Sequence, residues 1–545
     1  MTKASQIECV RERIATAERS LADFKDKVYK MRRIVAGDIA AFGGGQGSGQ
    51  EDQGETFIRD IRNFPSILIT GSISGRSNQI LQALRTLLYQ TAFTNPDIEF
   101  DDIEDIEEIL NSQWCKIRMG EPPRGSNTRH HMRLALLDAM ISGIGWQQVG
   151  TERGIPATRN VDCLDMVWDQ SARFPQDIKW AGVYQAKPWK EWKEIYGNAF
   201  QIKKPKQDEY GERIIELVTY YDCEGTEGNK LVFAVEGSGD TSDTPIYSGP
   251  NPFYYSFIDD LGKEYDREYY LPFDSVHTLL IPSVRNPMGI VEQMLPAQIA
   301  LHQAEDTIKR VLRRLPAMDE IEEGAYDDSQ VAALKAAQTG ELITRKANRA
   351  PLVRHPGGEI PQTLMAWKAS NEQQMTGQSG ASPFASGKTV QDLKYATEAT
   401  LVQENANLMA STISKENAGH WERVTRKLLG VGALFDDVEI RIRIDNQTLD
   451  FGPMDPISQY LRPDATVIVK EGTADYRSQA EKVRDASNDL QVAVSVAQMF
   501  PQAPMLAYEK YLKAVGEKNP SKWLEAPQQM QMNPADVAAQ AGTPG

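Results

Sequence analysis

The residues with the plainest chemical promise are Gly387, Lys388 and Thr389, which match the end of a phosphate-binding loop. Asp436 and Asp437, downstream of Phe435, would then serve as acidic Mg2+ ligands. Such a loop reads G-x-x-x-x-G-K-[ST], because backbone N–H groups must converge on the phosphates while the lysine reaches their outer oxygens. The first glycine should fall at 382, where the chain has Ser382; Gly380 is two positions early. A buried apolar strand should precede the loop, but Asn371-Glu-Gln-Gln-Met-Thr376 is polar and helical in pattern. A P-loop ATPase is therefore the disfavoured reading.

Other catalytic templates fail more simply. The chain has no HExxH, and Gly71-Ser-Ile-Ser-Gly75 puts Ile73 where a hydrolase elbow needs its serine. His130 and His131 are adjacent, and adjacent helix residues do not share a face. The other four histidines are isolated in sequence. Cys9, Cys115, Cys163 and Cys223 are scattered without a CxxC pair, which predicts buried free thiols, not a disulfide framework or a zinc site. The acidic stretch Asp97–Leu110 lacks the sixth-position glycine of a calcium loop. Its Ile103, Ile106 and Leu110 predict an amphipathic helix with an acidic outer face. No catalytic residue, cofactor or metal is expected.

The elements that would position any function begin with chain length. At 545 residues, two to four folded regions are expected. No apolar run approaches the roughly 20 residues of a membrane span, and the charged N-terminal segment lacks a signal-peptide core, which predicts synthesis in the cytosol. A net charge of −16 disfavours tight nucleic-acid binding, which depends on neutralising phosphates. It is compatible with a wall past which a polyanion slides.

The pattern is α+β. Residues 3–40 read as one or two polar helices, followed by a Gly/Gln/Ser linker at 41–55. Ile80, Leu81, Leu84, Leu87 and Leu88 mark a helix, and 132–150 an apolar helix running through a glycine turn into a strand. Strands are expected at 161–168, 179–185, 213–221, 230–235, 252–258 and 275–281, with a short helix between Pro188 and Gly197. Then come a long helix at 291–315, with Pro296 as a kink or start point, and a small insert at 317–358 holding a helix (329–338) and a strand (341–344). A helix at 361–375 and a small-residue loop at 376–388 lead into a helix over 389–429, about 60 Å long. Strands at 438–444 and 466–469 and helices at 474–496 and 504–515 precede a Gln/Pro/Gly/Ala-rich end at 528–545, expected to be disordered.

The order of elements over 285–430 resembles the portal proteins of tailed bacteriophages. Asn286-Pro-Met-Gly-Ile-Val-Glu292 is similar to that family's entry to its first stem helix, and Lys388-Thr-Val-Gln-Asp-Leu-Lys-Tyr-Ala-Thr-Glu398 to the start of its tunnel helix. Asn78-Gln-Ile-Leu81, Leu88-Tyr89, Asn95-Pro-Asp-Ile-Glu99, the turn at Gly143–Gly145, and Val161-Asp162 with Asp169-Gln-Ser-Ala172 are similar to wing patterns.

The resemblance implies a portal-type fold: an N-terminal arm and linker (1–59), wing (60–290), first stem helix (291–316), clip (317–358) and second stem helix (359–375). Tunnel loop (376–388), tunnel helix (389–430), wing return strands (431–473), crown-like helices (474–527) and a disordered tail (528–545) complete it. It also implies a homo-oligomeric ring, usually twelve-fold, at one capsid vertex of the virion, through which double-stranded DNA passes without sequence readout during packaging and ejection. Partners would be the capsid protein, the large terminase ATPase at the clip, and later the head–tail adaptor and tail proteins, with no membrane. Such a ring needs no active site, because the motor hydrolyses the ATP. Another ring- or shell-forming structural protein is the remaining alternative.

Within that frame Ser382, Phe384, Ser386 and Lys388 are candidate channel residues, able to touch phosphates without reading bases. The same loop also reads as a plain connection with Phe384 tucked against its own subunit. The basic cluster Lys309, Arg310, Arg313 and Arg314 either complements the helix dipole or meets DNA or an acidic neighbour. Arg345, Lys346, Arg349 and Arg354 are candidate docking residues in the clip, with a solvated face as the other reading.

Overall fold

Apolar residues organise the N-terminal helix. Ile7, Val10, Ile14, Ala17, Leu21, Phe24, Val28, Met31 and Val35 recur at alternating steps of three and four, so they fall on one stripe of helix α1 (Lys3–Val35). All are buried. The expectation of one or two helices is met by a single 33-residue helix, and its polar character is corrected, since one stripe belongs to the core. Its intervening charges lower the mean hydropathy without breaking the period. Leu21→Ala is expected to destabilise the protein by about 2–5 kcal/mol, because Leu21 is fully buried. Arg19→Ala, on the exposed side, should stay within about 0.5 kcal/mol. Urea unfolding checks both, and equal midpoints would put α1 outside the core.

The computed structural model describes residues 3–35, 79–92, 98–101, 103, 105–122, 125–152, 154–202, 214–224, 228–235, 245–258, 264–278, 287–314, 318–320, 353–355, 361–379, 396–444, 447–452, 454–469, 486–493 and 503–515. The readings made for 41–55, 329–338, 341–344, 380–395 and 528–545 lie outside the described residues.

After α1 come α2 (Gln79–Thr91), β1 (Ile98–Asp101), α3 (Asp105–Arg118) and α4 (Thr128–Ser142). Strands β2 (Ile144–Glu152), β3 (Ile155–Val161), β4 (Met166–Trp168) and β5 (Trp180–Pro188) precede the short helix α5 (Trp189–Tyr196). Then follow β6 (Ile214–Asp222), β7 (Asn229–Ala234), β8 (Tyr247–Gly249), β9 (Tyr254–Ile258), β10 (Glu264–Tyr269) and β11 (Phe273–His277). The later chain holds α6 (Ile290–Arg314), β12 (Met318–Glu320), β13 (Val353–His355), α7 (Gln362–Ser379) and α8 (Ala396–Phe435). It ends with β14 (Ile440–Ile444), β15 (Gln447–Phe451), β16 (Thr466–Val469), α9 (486–493) and α10 (Ala503–Val515).

The fold is α+β with several small antiparallel sheets. A three-stranded sheet runs β11-β2-β3 and a five-stranded one β4-β5-β6-β7-β8; β1-β16, β9-β10, β12-β13 and β14-β15 form pairs. Helices α4 and α8 pack on the three-stranded sheet. One core gathers Trp114, Trp146, Trp168 and Trp421. A second joins the end of α1 to α2, α4, α6 and α8 through Ile34, Leu84, Leu136, Leu301 and Ile413. A third seats Trp192 of α5 on Ile215, Leu217 and Val232.

Several local expectations hold. The stripe of α2 is buried throughout, α4 runs through Gly143 into β2, and α5 lies between Pro188 and Gly197. Residues 97–110 differ. Ile98–Asp101 form β1, paired with β16 from Ile98 opposite Val469 to Asp101 opposite Thr466. Helix α3 then turns Leu110, Asn111, Trp114, Cys115 and Arg118 inward and leaves Ile106 64% exposed. The expected Ile106 stripe does not form, because the buried face is set by contacts remote in sequence.

The chain divides into two compact units, Met1–Ala474 and Asp475–Gly545. In the second, α10 exposes Met505, Leu506 and Tyr508. Among the described residues, no helix is long and apolar enough to cross a membrane.

Candidate functional site

Helices α6 and α7 pack as an antiparallel pair, whose far end leads into the strands β12 and β13. Helix α6 buries Ile290, Val291, Met294, Ala297, Leu301 and Ala304 along its first two-thirds. Its entry is fixed by Gly289, where a Cβ would lie 2.4 Å from the Ile141 carbonyl oxygen. Pro296 sits inside the helix and not at its start. Beyond Glu305 the burial ends: Lys309 is exposed and Leu312 is 47% exposed. Helix α7 buries Asn371 and Met375 but exposes Met365 (51%) and Trp367 (42%). Lys368 of α7 reaches Glu305 of α6 at 3.5 Å. Met318, Asp319 and Glu320 pair with His355, Arg354 and Val353, so both ends of the 321–352 insert enter through one strand pair.

The predicted site residues divide accordingly. Lys309, Arg310, Arg313 and Arg314 share the last turns of α6; of these, the side chain of Lys309 is described, and it is exposed. Arg354 lies in β13 opposite Asp319. Arg345, Lys346 and Arg349, and the loop residues Ser382, Phe384, Ser386 and Lys388, lie outside the described residues. The loop was expected to begin at 376, but Thr376–Ser379 continue α7, since a lone Gly377 does not stop a helix.

Helix α8 was expected to end at Leu429 and instead continues to Phe435. Gly430 and Gly432 read as helix breakers, yet each admits an aromatic ring. A Cβ at 430 would lie 2.7 Å from the Tyr270 hydroxyl, and one at 432 would lie 2.4 Å from the Trp114 ring. Just beyond, Asp436 is no free metal ligand. Its carboxylate accepts Trp114 Nε1 at 2.7 Å and Arg118 Nε and Nη2 at 2.7 and 2.6 Å, fully buried.

The densest charge cluster lies where α8 crosses the three-stranded sheet. His420, Arg423 and Lys427 share one face of α8 and converge on Asp274 of β11. Asp274 accepts from His420 Nδ1 at 2.6 Å, Arg423 Nε at 3.1 Å and Lys427 Nζ at 3.3 Å. Arg423 Nη2 and Lys427 Nζ also donate to the Ser275 and Phe273 carbonyls. Although burial opposes ionisation of Asp274, Arg423, Lys427 and His420 hold its carboxyl well below the usual range. Burial holds His420 below its ordinary value despite Asp274. Desolvation, with Arg423 and His420 nearby, pushes the half-buried His277 down to about 4.

A second cluster anchors α1. Arg32 clasps Asp162 through two 2.8 Å contacts and reaches Asp138 at 3.3 Å. Both clusters escape sequence reasoning, which leaves His277 and His420 as isolated residues. The available signal was the i, i+3, i+7 spacing of 420, 423 and 427, without its partner. His131 accepts the Asn160 backbone N–H at Nδ1. No group of three His, Cys, Asp or Glu side chains is placed to hold a metal among the described residues. Cys115 and Cys163 are buried, with burial pushing both thiols up, and Cys223 is half-buried; Cys9 is exposed, contrary to expectation.

The α6–α7 pair presents exposed apolar side chains at Leu312, Met365 and Trp367, and the α8 cluster is a hydrogen-bonded clamp between helix and sheet. Comparison with known protein families and with curated proteins finds no match to this chain.

Proposed function

We propose that the chain is the subunit of a phage portal, a ring-shaped channel at the capsid vertex through which the genome is packaged and ejected. The observation that carries this reading is the α6–α7 pair. Two helices leave the apolar core side by side, expose Leu312, Met365 and Trp367, and frame an insert entered through one strand pair. A two-helix projection cannot bury apolar side chains on its outer flanks by itself; neighbours in a closed ring can. The 40-residue α8, clamped to the sheet at one end, supplies the long element that a channel wall requires.

In this reading residues 317–358, which include the β12–β13 strand pair, are the clip that docks the terminase and then the adaptor and tail proteins. The loop expected over 376–388, whose first four residues belong to α7, lines the channel, the basic end of α6 faces DNA or an acidic neighbour, and ATP hydrolysis belongs to the motor.

Purified protein is expected to assemble into rings of about twelve copies with an axial hole, seen by native mass spectrometry and negative-stain microscopy. Trp367→Glu should abolish the rings while leaving circular dichroism unchanged. A stable monomer of the parent protein at micromolar concentration overturns the proposal.

A further inference from the structure

Two exposed surfaces of this chain are partly apolar and opposite in charge. The first is the end of α6. Over 309–314 the sequence holds four bases and no acid, and both Lys309 and Leu312 are exposed there. The second is the outer face of α3. Residues 97–108 hold eight acids and no base, the reverse of the α6 end. Ile106 and Ile109 lie one helical turn apart on that face, 64% and 37% exposed, because α3 turns Leu110, Trp114 and Arg118 inward. Beside them Glu108 is half-buried, and Asp101 is exposed at the end of β1. Both surfaces belong to the unit Met1–Ala474, and both are open in a single copy.

A leucine among bases points to a protein partner. Contacts to a phosphate backbone are made by cations, polar groups and backbone N–H, and an exposed leucine adds nothing to them; a protein surface buries it. The net charge narrows the partner further. At −16, two copies repel on average, so a contact between them needs a place where the sign is inverted. The α6 end is such a place, and the α3 face is its complement in charge and in apolar content. Lengths agree as well. Beyond Glu305, α6 runs for about 14 Å, and α3 is about 20 Å long, so one can lie along the other for about two turns.

We propose that the basic end of α6 docks on the outer face of α3 in a neighbouring copy. Leu312 packs on Ile106 and Ile109, with the bases of 309–314 set against the acids of 97–108. This contact rests on the ring-subunit reading and deepens it, assigning the end of α6 to a protein neighbour and not to DNA. Two different patches on one chain meet head to tail, so the contact repeats from copy to copy until the ring closes. Exposed ion pairs contribute little each. Burial of the leucine and isoleucines supplies the attraction, and the charges select which surfaces meet.

Engineered cysteines test the contact in the assembled full chain. Cys9→Ser first removes the exposed native thiol. Rings of Ile109→Cys/Leu312→Cys in that background, oxidised at micromolar concentration, are expected to give a ladder of cross-linked copies on a non-reducing gel. Either single variant should give no species beyond a dimer. If the double variant forms rings without a ladder, or stops at a dimer, the contact is overturned while the ring stands. If the parent forms no rings, the ring reading itself fails, and the contact with it.

Charge reversal reads the same contact without a cross-link. Lys309→Glu/Arg313→Glu and Asp101→Lys/Glu108→Lys each set like charges against each other, and each should raise the concentration for half-assembly at least about tenfold. Glu107 is left intact because it holds Arg462 at 3.1 Å. Mixed in equal amounts, the two variants regain opposite signs wherever they alternate, and rings should return near the parent concentration. A mixture that does no better than its components rejects the contact. Parent-like assembly of both variants, with DNA retention lost in the α6 variant alone, gives the basic end to DNA and also rejects it. Circular dichroism shows whether each variant folds; if one does not, the cross-link decides.

Discussion

Asp274→Asn is expected to lower the unfolding free energy by about 3–5 kcal/mol near neutral pH, the usual cost of removing one member of a buried ion cluster. The carboxylate is 7% exposed and faces Arg423, Lys427 and His420. Its loss leaves two cations beside the sheet without their counter-charge. Because the folded pKa of Asp274 is depressed, its contribution is full above the unfolded value of about 3.9 and is lost as pH falls below that. His277 acts earlier. Held neutral with a folded value of about 4, it contributes fully above an unfolded value of about 6.5, and that contribution falls between about 6.5 and 4. The parent protein should therefore begin to lose stability below about pH 6.5.

The variant should be more acid-labile in the same window, because Asp274 supports the proton on His277. Burial already lowers the pKa of Lys427, and Asp274 opposes that fall. The deficit of Asp274→Asn should accordingly shrink at alkaline pH, where Lys427 discharges. Urea unfolding across pH measures these effects. A variant within about 1 kcal/mol of the parent throughout would show that the clamp contributes little.

Asp436→Ala should cost a similar amount, about 3–5 kcal/mol. This carboxylate is fully buried just past the C-terminal end of α8, where the helix dipole disfavours negative charge. It is held by Arg118 in a two-pronged pair and by the Trp114 indole. Removing it strands a buried indole N–H and takes the carboxylate from a guanidinium 3% exposed. Arg118→Met alone should be comparably destabilising, because it leaves the buried carboxylate facing only the indole. The double variant Arg118→Met/Asp436→Leu should recover part of the loss, since an apolar pair carries no desolvation cost. A double-mutant cycle reads the coupling. If the two single losses simply add, Arg118 and Asp436 do not act as a pair.

The helices that periodicity predicts, α2, α4, α5, α6 and α10, lie close to where the spacing puts them. Their apolar stripes and caps are properties of a few consecutive residues. The α+β class followed from the same local signals. Helix α1 was equally legible through its heptad, but averaging over its charged residues obscured that stripe. Other features were not readable locally. Ile98–Asp101 is a strand because β16 arrives beside it, and the buried face of α3 is chosen by what α8 and its neighbours present. Gly430 and Gly432 break helices in isolation; here two tyrosines and a tryptophan from elsewhere fill the space a Cβ would need.

The same division runs through the charges. His420 and Asp274 are 146 positions apart, and Asp436 and Arg118 are 318 apart. By itself the sequence determined the periodicities, the turn residues and the order of elements, because hydrogen bonding and side-chain spacing along a helix or strand act over a few residues. Only the tertiary structure decided which charges meet and which apolar faces stay exposed on α6 and α7. Pairing and burial are settled by residues brought together after long stretches of chain have folded between them, and no local pattern encodes that meeting.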